Sequence, residues 1–244
     1  MKTILAEKLK LKYFPVAILF SDQKPENALQ FQEGKRGCVT ALLTAAMKGK
    51  TVVIDRKTVG CIGGMAGMCY GNQYHLMPGG IEYFLSTGRG EGYREGEGYI
   101  KDPKLAKQFV DTLPYVDIGQ QYVVIKPLQE VDCEVEEPQL VCMYANPDQL
   151  SALVVLANYD REMNDHVIIP FASGCQSICL LPYAQKKAAL PKAVIGMTDI
   201  TVRPLVPAEV LSFTIPFTMY QEMEKNCEGC FLDKEIWQKV VKRF

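Results

Sequence analysis

The chain has only two histidines, His75 and His166, and a single tryptophan. The histidines stand alone, with neither a Gly-x-Ser-x-Gly elbow nor a second Cys-x-x-Cys near them, so a serine triad and a four-ligand zinc site both lack their parts. No Walker lysine motif occurs, and Gly64-x-x-Gly67 is only a fragment of the dinucleotide fingerprint, so nucleotide hydrolysis has no support. No Lys/Arg block stands out and the net charge is −1. Duplex binding is driven largely by phosphate neutralisation, so no nucleic-acid partner is expected. No apolar run approaches the ~18–20 residues of a membrane helix. "MKTILAEKLKLKYF" spreads charge through the first residues and has no apolar core, unlike a signal peptide. The expectation is a cytoplasmic protein with no membrane partner.

What the chain does have is cysteine: nine in 244 residues. A reducing compartment argues against a disulfide framework, and an odd count leaves at least one unpaired within the chain. Metal binding, thiol chemistry or burial remain. The apolar fraction of 48% and charged fraction of 23% are those of an ordinary globular protein. The length suits one large domain or two small ones, and no long linker separates two halves, so 1–244 is read as one domain.

Strand-like and helix-like segments alternate. Residues 2–12, 39–47, 81–86, the run after Asp102-Pro103, the run after Asn146-Pro147, a segment from Ser173, the region after Pro216 and "LDKEIWQKVVKRF" read as helices by period and caps. "PVAILF", "TVVIDRKTV", "QQYVVIKPL", "PQLVCMYA", "HVIIP", "KAVIGMTD" and "EVLSFTIP" read as strands. Residues 88–98 are charged and glycine-rich, the composition of a mobile loop. The fold class expected is α+β or α/β, a mixed sheet with helices packed on it. "GCVTALLTAAMKGKTVVID" at 37–55 loosely echoes "GCQSICLLPYAQKKAALPKAVIG" at 174–196. Two repeated halves, around 15–110 and 120–222, would bring both Gly-Cys turns toward one interface.

A cysteine at a helix start sits among unpaired N–H groups and partial positive charge, which stabilise its thiolate. Cys38 and Cys175 fit that description and are the candidate nucleophiles. In "TVGCIGGMAGMCYG", Cys61 and Cys69 lie in glycine-rich chain that can approach a bound group closely. Gly60, Gly63, Gly64 and Gly174 are the candidate cofactor-binding glycines. Cys179 follows Cys175 by four residues, on the same helical face. An iron–sulfur cluster needs four thiolates, and Cys38, Cys61, Cys69, Cys175 and Cys179 could supply them from three segments, in none of the compact ferredoxin spacings. The bland alternative is that each is a small buried residue. "NCEGCF", with Cys227 and Cys230, reads as half a zinc site, a redox dithiol or an unpaired motif. Met65, Met68, Met77 and Tyr70 read as packing around Cys61 and Cys69, and Asp199 with Arg203 as a salt bridge.

"GCVTALLTAAMKG", "GCIGGMAGMCYG" and "SGCQSICLLPYA", followed by "IGMTDITVRP" and "LSFTIP", resemble the archaeal and bacterial cysteine-rich (ArCR) proteins over roughly residues 5–222. The shared pattern falls on Gly37-Cys38, on Gly60-Cys61 with Gly63 and Gly64, and on Ser173-Gly174-Cys175. The resemblance implies a soluble single-domain protein, common among anaerobes, with no assigned reaction. Three functions stay open. The first is binding of an iron–sulfur cluster or other thiol-ligated metal, with a redox or carrier role and a redox partner protein. The second is a metal-free enzyme using Cys38 or Cys175 on an anionic small molecule. The third is a structural or interaction protein with core cysteines.

Overall fold

The computed structural model describes residues 3–89 and 95–244. Of the loop expected over 88–98, residues 90–94 lie outside the described residues. The elements run α1 (Ile4–Leu9), β1 (Val16–Ser21), α2 (Val39–Ala46), β2 (Val52–Ile54), α3 (Ile62–Gly67), α4 (Ile81–Phe84), α5 (Pro103–Asp111), β3 (Tyr122–Pro127), β4 (Pro138–Ala145), α6 (Pro147–Ala157), β5 (Val167–Ile168), α7 (Leu181–Lys186), β6 (Ala193–Gly196), β7 (Leu211–Pro216), α8 (Phe217–Lys225) and α9 (Glu235–Val241). A π-wound turn, Gln176–Leu180, runs directly into α7. The fold is α+β.

Local chemistry places the helices. Asp102 caps α5, accepting from the Leu105 N–H at 2.9 Å, with Pro103 in the first turn. Asn146 and Gln149 close a full capping box on α6. α1 is shorter than its amphipathic run, because Lys10 adopts a left-handed φ of 54° and ends it.

The seven strands form one mixed sheet in the order β2-β3-β1-β4-β7-β6-β5, antiparallel except for β5 beside β6. Strand alternation sorts side chains onto two faces. Val16, Ile18, Ile54, Ile125 and Tyr144 pack with α2 and the π turn on one face. Leu19, Val53, Val141, Phe213 and Ile215 pack with α1, α6, α8 and α9 on the other. A smaller cluster around Ala66, Tyr74, Ile81 and Val110 joins α3, α4 and α5.

Outward from its central pair, the sheet reads β1, β3, β2 on one side and β4, β7, β6 on the other. The helix between β1 and β2 begins after Cys38, and the helical run before β6 begins at Gly174-Cys175. Both lie on the same face of the sheet. The segments of the sequence echo therefore occupy equivalent places in the strand order.

Candidate functional site

Three Gly-Cys turns meet on the α2 face. Cys38 is the extended N-cap residue of α2. Cys61 caps α3, its Sγ accepting from the Gly64 N–H at 3.1 Å. Cys175 lies in the first turn of its helix and donates its S–H to the Gly63 carbonyl at 3.1 Å, with the Ser173 hydroxyl 3.3 Å away. The turns are tied by backbone: the Gly37 N–H donates to the Gly60 carbonyl at 3.3 Å. Gly60 has φ +81°, and a Cβ there would stand 2.7 Å from the Gly37 oxygen, so both its conformation and its neighbour require glycine.

Gly64 and Gly67 of the same stretch are closely packed. Gly63, Gly64 and Gly67 are helical, and a Cβ on Gly64 would press on Val39, Val59 and the Cys61 sulfur. One on Gly67 would lie 2.7 Å from the Cys175 sulfur. Gly174 lies against Val202 and the Thr40 hydroxyl. α3 is thus laid directly onto the Cys175 turn.

Deeper in, Cys69 and Cys179 are fully buried with their sulfurs 3.6 Å apart. Cys69 holds a left-handed φ of 64°. Cys179 sits in the π-wound turn, a rare geometry often found at functional sites. The five cysteines form one electrostatic chain. Burial pushes the Cys175 thiol up to about 12, and Cys61 and Cys38 add to the rise. Cys61 is exposed over its surface, yet the protein around its sulfur withdraws water and raises it, against the Gly64 N–H, and Cys38 raises it further. Cys179 is pushed well above an ordinary thiol by its contact with Cys69, by burial and by Cys175. The Cys61, Cys175 and Cys179 sulfurs are thus biased toward the protonated thiol.

The donor set is chemically suited to a soft metal. Among the described residues, however, no three His, Cys, Asp or Glu side chains are gathered as one ion would require. The arrangement does not fit a closed metal site. The remaining cysteines lie apart from the junction. Cys142 is buried and accepts from the Thr214 hydroxyl, and Cys133 is exposed. Cys227 and Cys230 are buried on the opposite face, their S–H groups donating to the Met223 and Cys227 carbonyls.

The sequence reading passed over several residues at the junction. Thr40, the second residue of α2, carries a fully buried hydroxyl with no hydrogen-bond partner in the structure. The expected Asp199–Arg203 bridge is replaced. Asp199 accepts from the Gly174 and Thr201 N–H groups, while Arg203 donates to backbone carbonyls, among them Val210 at 2.8 Å and Ala208 at 2.9 Å. Beside Ser173 lies a cavity with about 40 Å³ of space open to water, walled by Tyr74, Tyr99, Phe109 and Phe171 and carrying Glu97 and Asp199. Gln176 reaches Tyr74 across its base, Nε2 donating to the hydroxyl at 2.8 Å.

Glu97 makes a prediction in pH. Burial raises its carboxyl, the Thr201 hydroxyl opposes that, and Asp199 adds to it. A carboxyl raised in the folded state favours folding below its unfolded pKa, and that contribution is lost as pH rises through the folded value. Glu97→Gln is therefore expected to stabilise the protein at pH 7 and to flatten its melting temperature between about pH 4 and 7, the window above the ordinary glutamate value. Thermal unfolding across that range checks it; an unchanged slope would show Glu97 fully hydrated.

No helix of the described residues is long and apolar enough to cross a membrane. No curated protein and no solved structure matches the chain. The family described as uncharacterised ArCR matches residues 4–226, which takes in all three Gly-Cys turns and every strand. The chain belongs to the ArCR family.

Proposed function

We propose that the protein is a thiol-based redox protein whose working couple is Cys69 and Cys179. The observation that carries this reading is the 3.6 Å contact between their sulfurs. A disulfide needs about 2.05 Å between the sulfurs, so oxidation requires the pair to close by about 1.5 Å. In the oxidising step the Cys69–Cys179 bond forms while a disulfide of a small thiol or partner protein breaks. The two electrons pass to that disulfide, and its sulfurs leave as two thiols carrying the two protons. Cys61, exposed at the surface, is the point of entry, and Cys175 lies between it and the buried pair. The raised pKa values of Cys61, Cys175 and Cys179 count against any of them as a standing nucleophile, since the thiolate is the reactive form, so exchange along this route is expected to be slow at neutral pH.

The placement of five thiols on the α2 face of the sheet favours a second reading, an iron–sulfur cluster held by Cys38, Cys61 and Cys175 with Cys69 or Cys179 as fourth ligand. No step is derived through it, because the donors are not gathered. One preparation separates the two. Protein purified without oxygen is assayed for iron and acid-labile sulfide, then equilibrated with oxidised glutathione, unfolded and alkylated. The redox reading expects colourless, iron-free protein in which Cys69 and Cys179 alone resist alkylation until reduced. About four irons and four sulfides per chain, with visible absorption, would establish the cluster instead. Free Cys69 and Cys179 after oxidation would sink the couple.

A further inference from the structure

We propose that the cavity walled by Tyr74, Tyr99, Phe109 and Phe171 binds the ammonium group of a small organic amine, held between Glu97 and Asp199. This site stands independently of the Cys69–Cys179 couple. Its chemistry is unbalanced toward cations. Asp199 is only 8% exposed and Glu97 is half-buried, yet neither is ion-paired to a Lys, Arg or His among the described residues. Arg203, the nearest cation in sequence to Asp199, is spent on backbone carbonyls.

The acceptors are only partly used. Asp199 takes the Thr201 N–H at 3.0 Å and, at a long 3.5 Å, the Tyr99 hydroxyl on Oδ1, and the Gly174 N–H at 3.1 Å on Oδ2. Glu97 Oε1 takes the Thr201 hydroxyl at 3.0 Å, and among the described residues nothing donates to Oε2. A charged donor placed between them satisfies what the protein leaves open, since a carboxylate accepts at four lone-pair sites.

The walls select the kind of cation. Tyr99 and Phe171 meet edge to face at 6.0 Å, and Phe109 tilts on Phe171 at 5.3 Å, so ring faces and apolar edges bound the space. Such walls attract a weakly hydrated organic cation and accommodate its carbons. Two carboxylates repel anions, and a metal ion finds no third ligand. The space has room for a few water-sized groups, which suits an amine head better than a bulky cation. Ser173 joins the cavity wall to Cys175, so the amine would lie beside the first buried thiol of the chain.

Isothermal titration of the full chain with ethylammonium chloride at pH 7 tests this, with sodium chloride matching ionic strength and n-propanol as the uncharged control. A three-heavy-atom ligand is expected to saturate one site with Kd on the order of 1 mM, and propanol to give no saturable heat. Glu97→Gln is expected to weaken ethylammonium about tenfold, the value of one charged hydrogen bond. Phe171→Leu, at a half-exposed wall position and safe for folding, is expected to weaken it about threefold. Absence of saturable binding, equal binding of propanol, or affinity unmoved in both variants would overturn the proposal.

Discussion

Trp237→Ala is expected to lower the free energy of unfolding by about 3–5 kcal/mol, the range for deleting a large buried aromatic. Trp237 is 4% exposed and packs in the core of the face opposite the cysteine junction. Its ring meets Phe231 edge to face at 6.3 Å, and its indole N–H donates to the Lys8 carbonyl at 3.0 Å. The deletion leaves a cavity and strips that carbonyl, at the end of α1, of its partner. α1 itself is six residues long and cannot hold together without packing. Urea unfolding followed by circular dichroism reads the loss, since the variant has no tryptophan to follow. Trp237→Phe should recover part of it by refilling the space. An alanine variant within about 0.5 kcal/mol of the parent would mean that α9 is not docked in solution. Residues 227–244 lie beyond the family match, so this fastening is made by chain that the family pattern does not cover.

Gly67→Ala is expected to destabilise by about 2–3 kcal/mol, even though alanine suits a helix better than glycine by roughly 0.5–1 kcal/mol. The new methyl would lie 2.7 Å from the Cys175 sulfur and 2.8 Å from that residue's carbonyl carbon. Backbone cannot swing aside as a long side chain can, so α3 must lift off the Cys175 turn. The Cys175 S–H then loses its Gly63 acceptor, and alkylation of Cys175 by a small maleimide is expected to speed up with the loss of stability. Gly119→Ala is the control. Nothing lies within 4 Å of its Cβ position, and its φ is not left-handed, so it should be neutral or slightly stabilising. Equal effects at the two positions would mean that the close approach of α3 does not exist in solution.

The elements legible in the sequence were those written locally. Asn146-Pro147 and Asp102-Pro103 announce α6 and α5 because a cap and a fixed φ act within one turn. The apolar run in 138–145 announces a strand, and its continuity reflects a core on each face of the sheet. Strand order was not legible. It depends on pairings such as Val16 with both Pro127 and Cys142, far apart in the chain and marked by no local signal. The cysteine junction was half legible. Gly-Cys at helix starts pointed to Cys38 and Cys175 and the glycine-rich stretch to Cys61, while the contact of Cys69 with Cys179 rests on a left-handed residue and a π turn that periodicity does not reveal. Arg203 was misread because a guanidinium near a carboxylate in sequence suggests a pair, whereas carbonyls closer in space took its donors. The aromatic cavity had no signature at all, its walls coming from residues 74, 97, 99, 109, 171 and 199.

The clasp between α1 and the last turns also orders events during synthesis. Lys8 pairs with Asp233 and donates to the Cys227 carbonyl, and Glu224 receives the N–H groups at the start of α1. Every one of these partners is made more than two hundred residues after α1 is synthesised. Until then α1 has an apolar stripe, Leu5 and Leu9, and nothing of the C-terminal helices to cover it. The first helix of the chain is thus among the last to settle, and a nascent chain stalled before residue 224 is expected to expose it to chaperones and proteases.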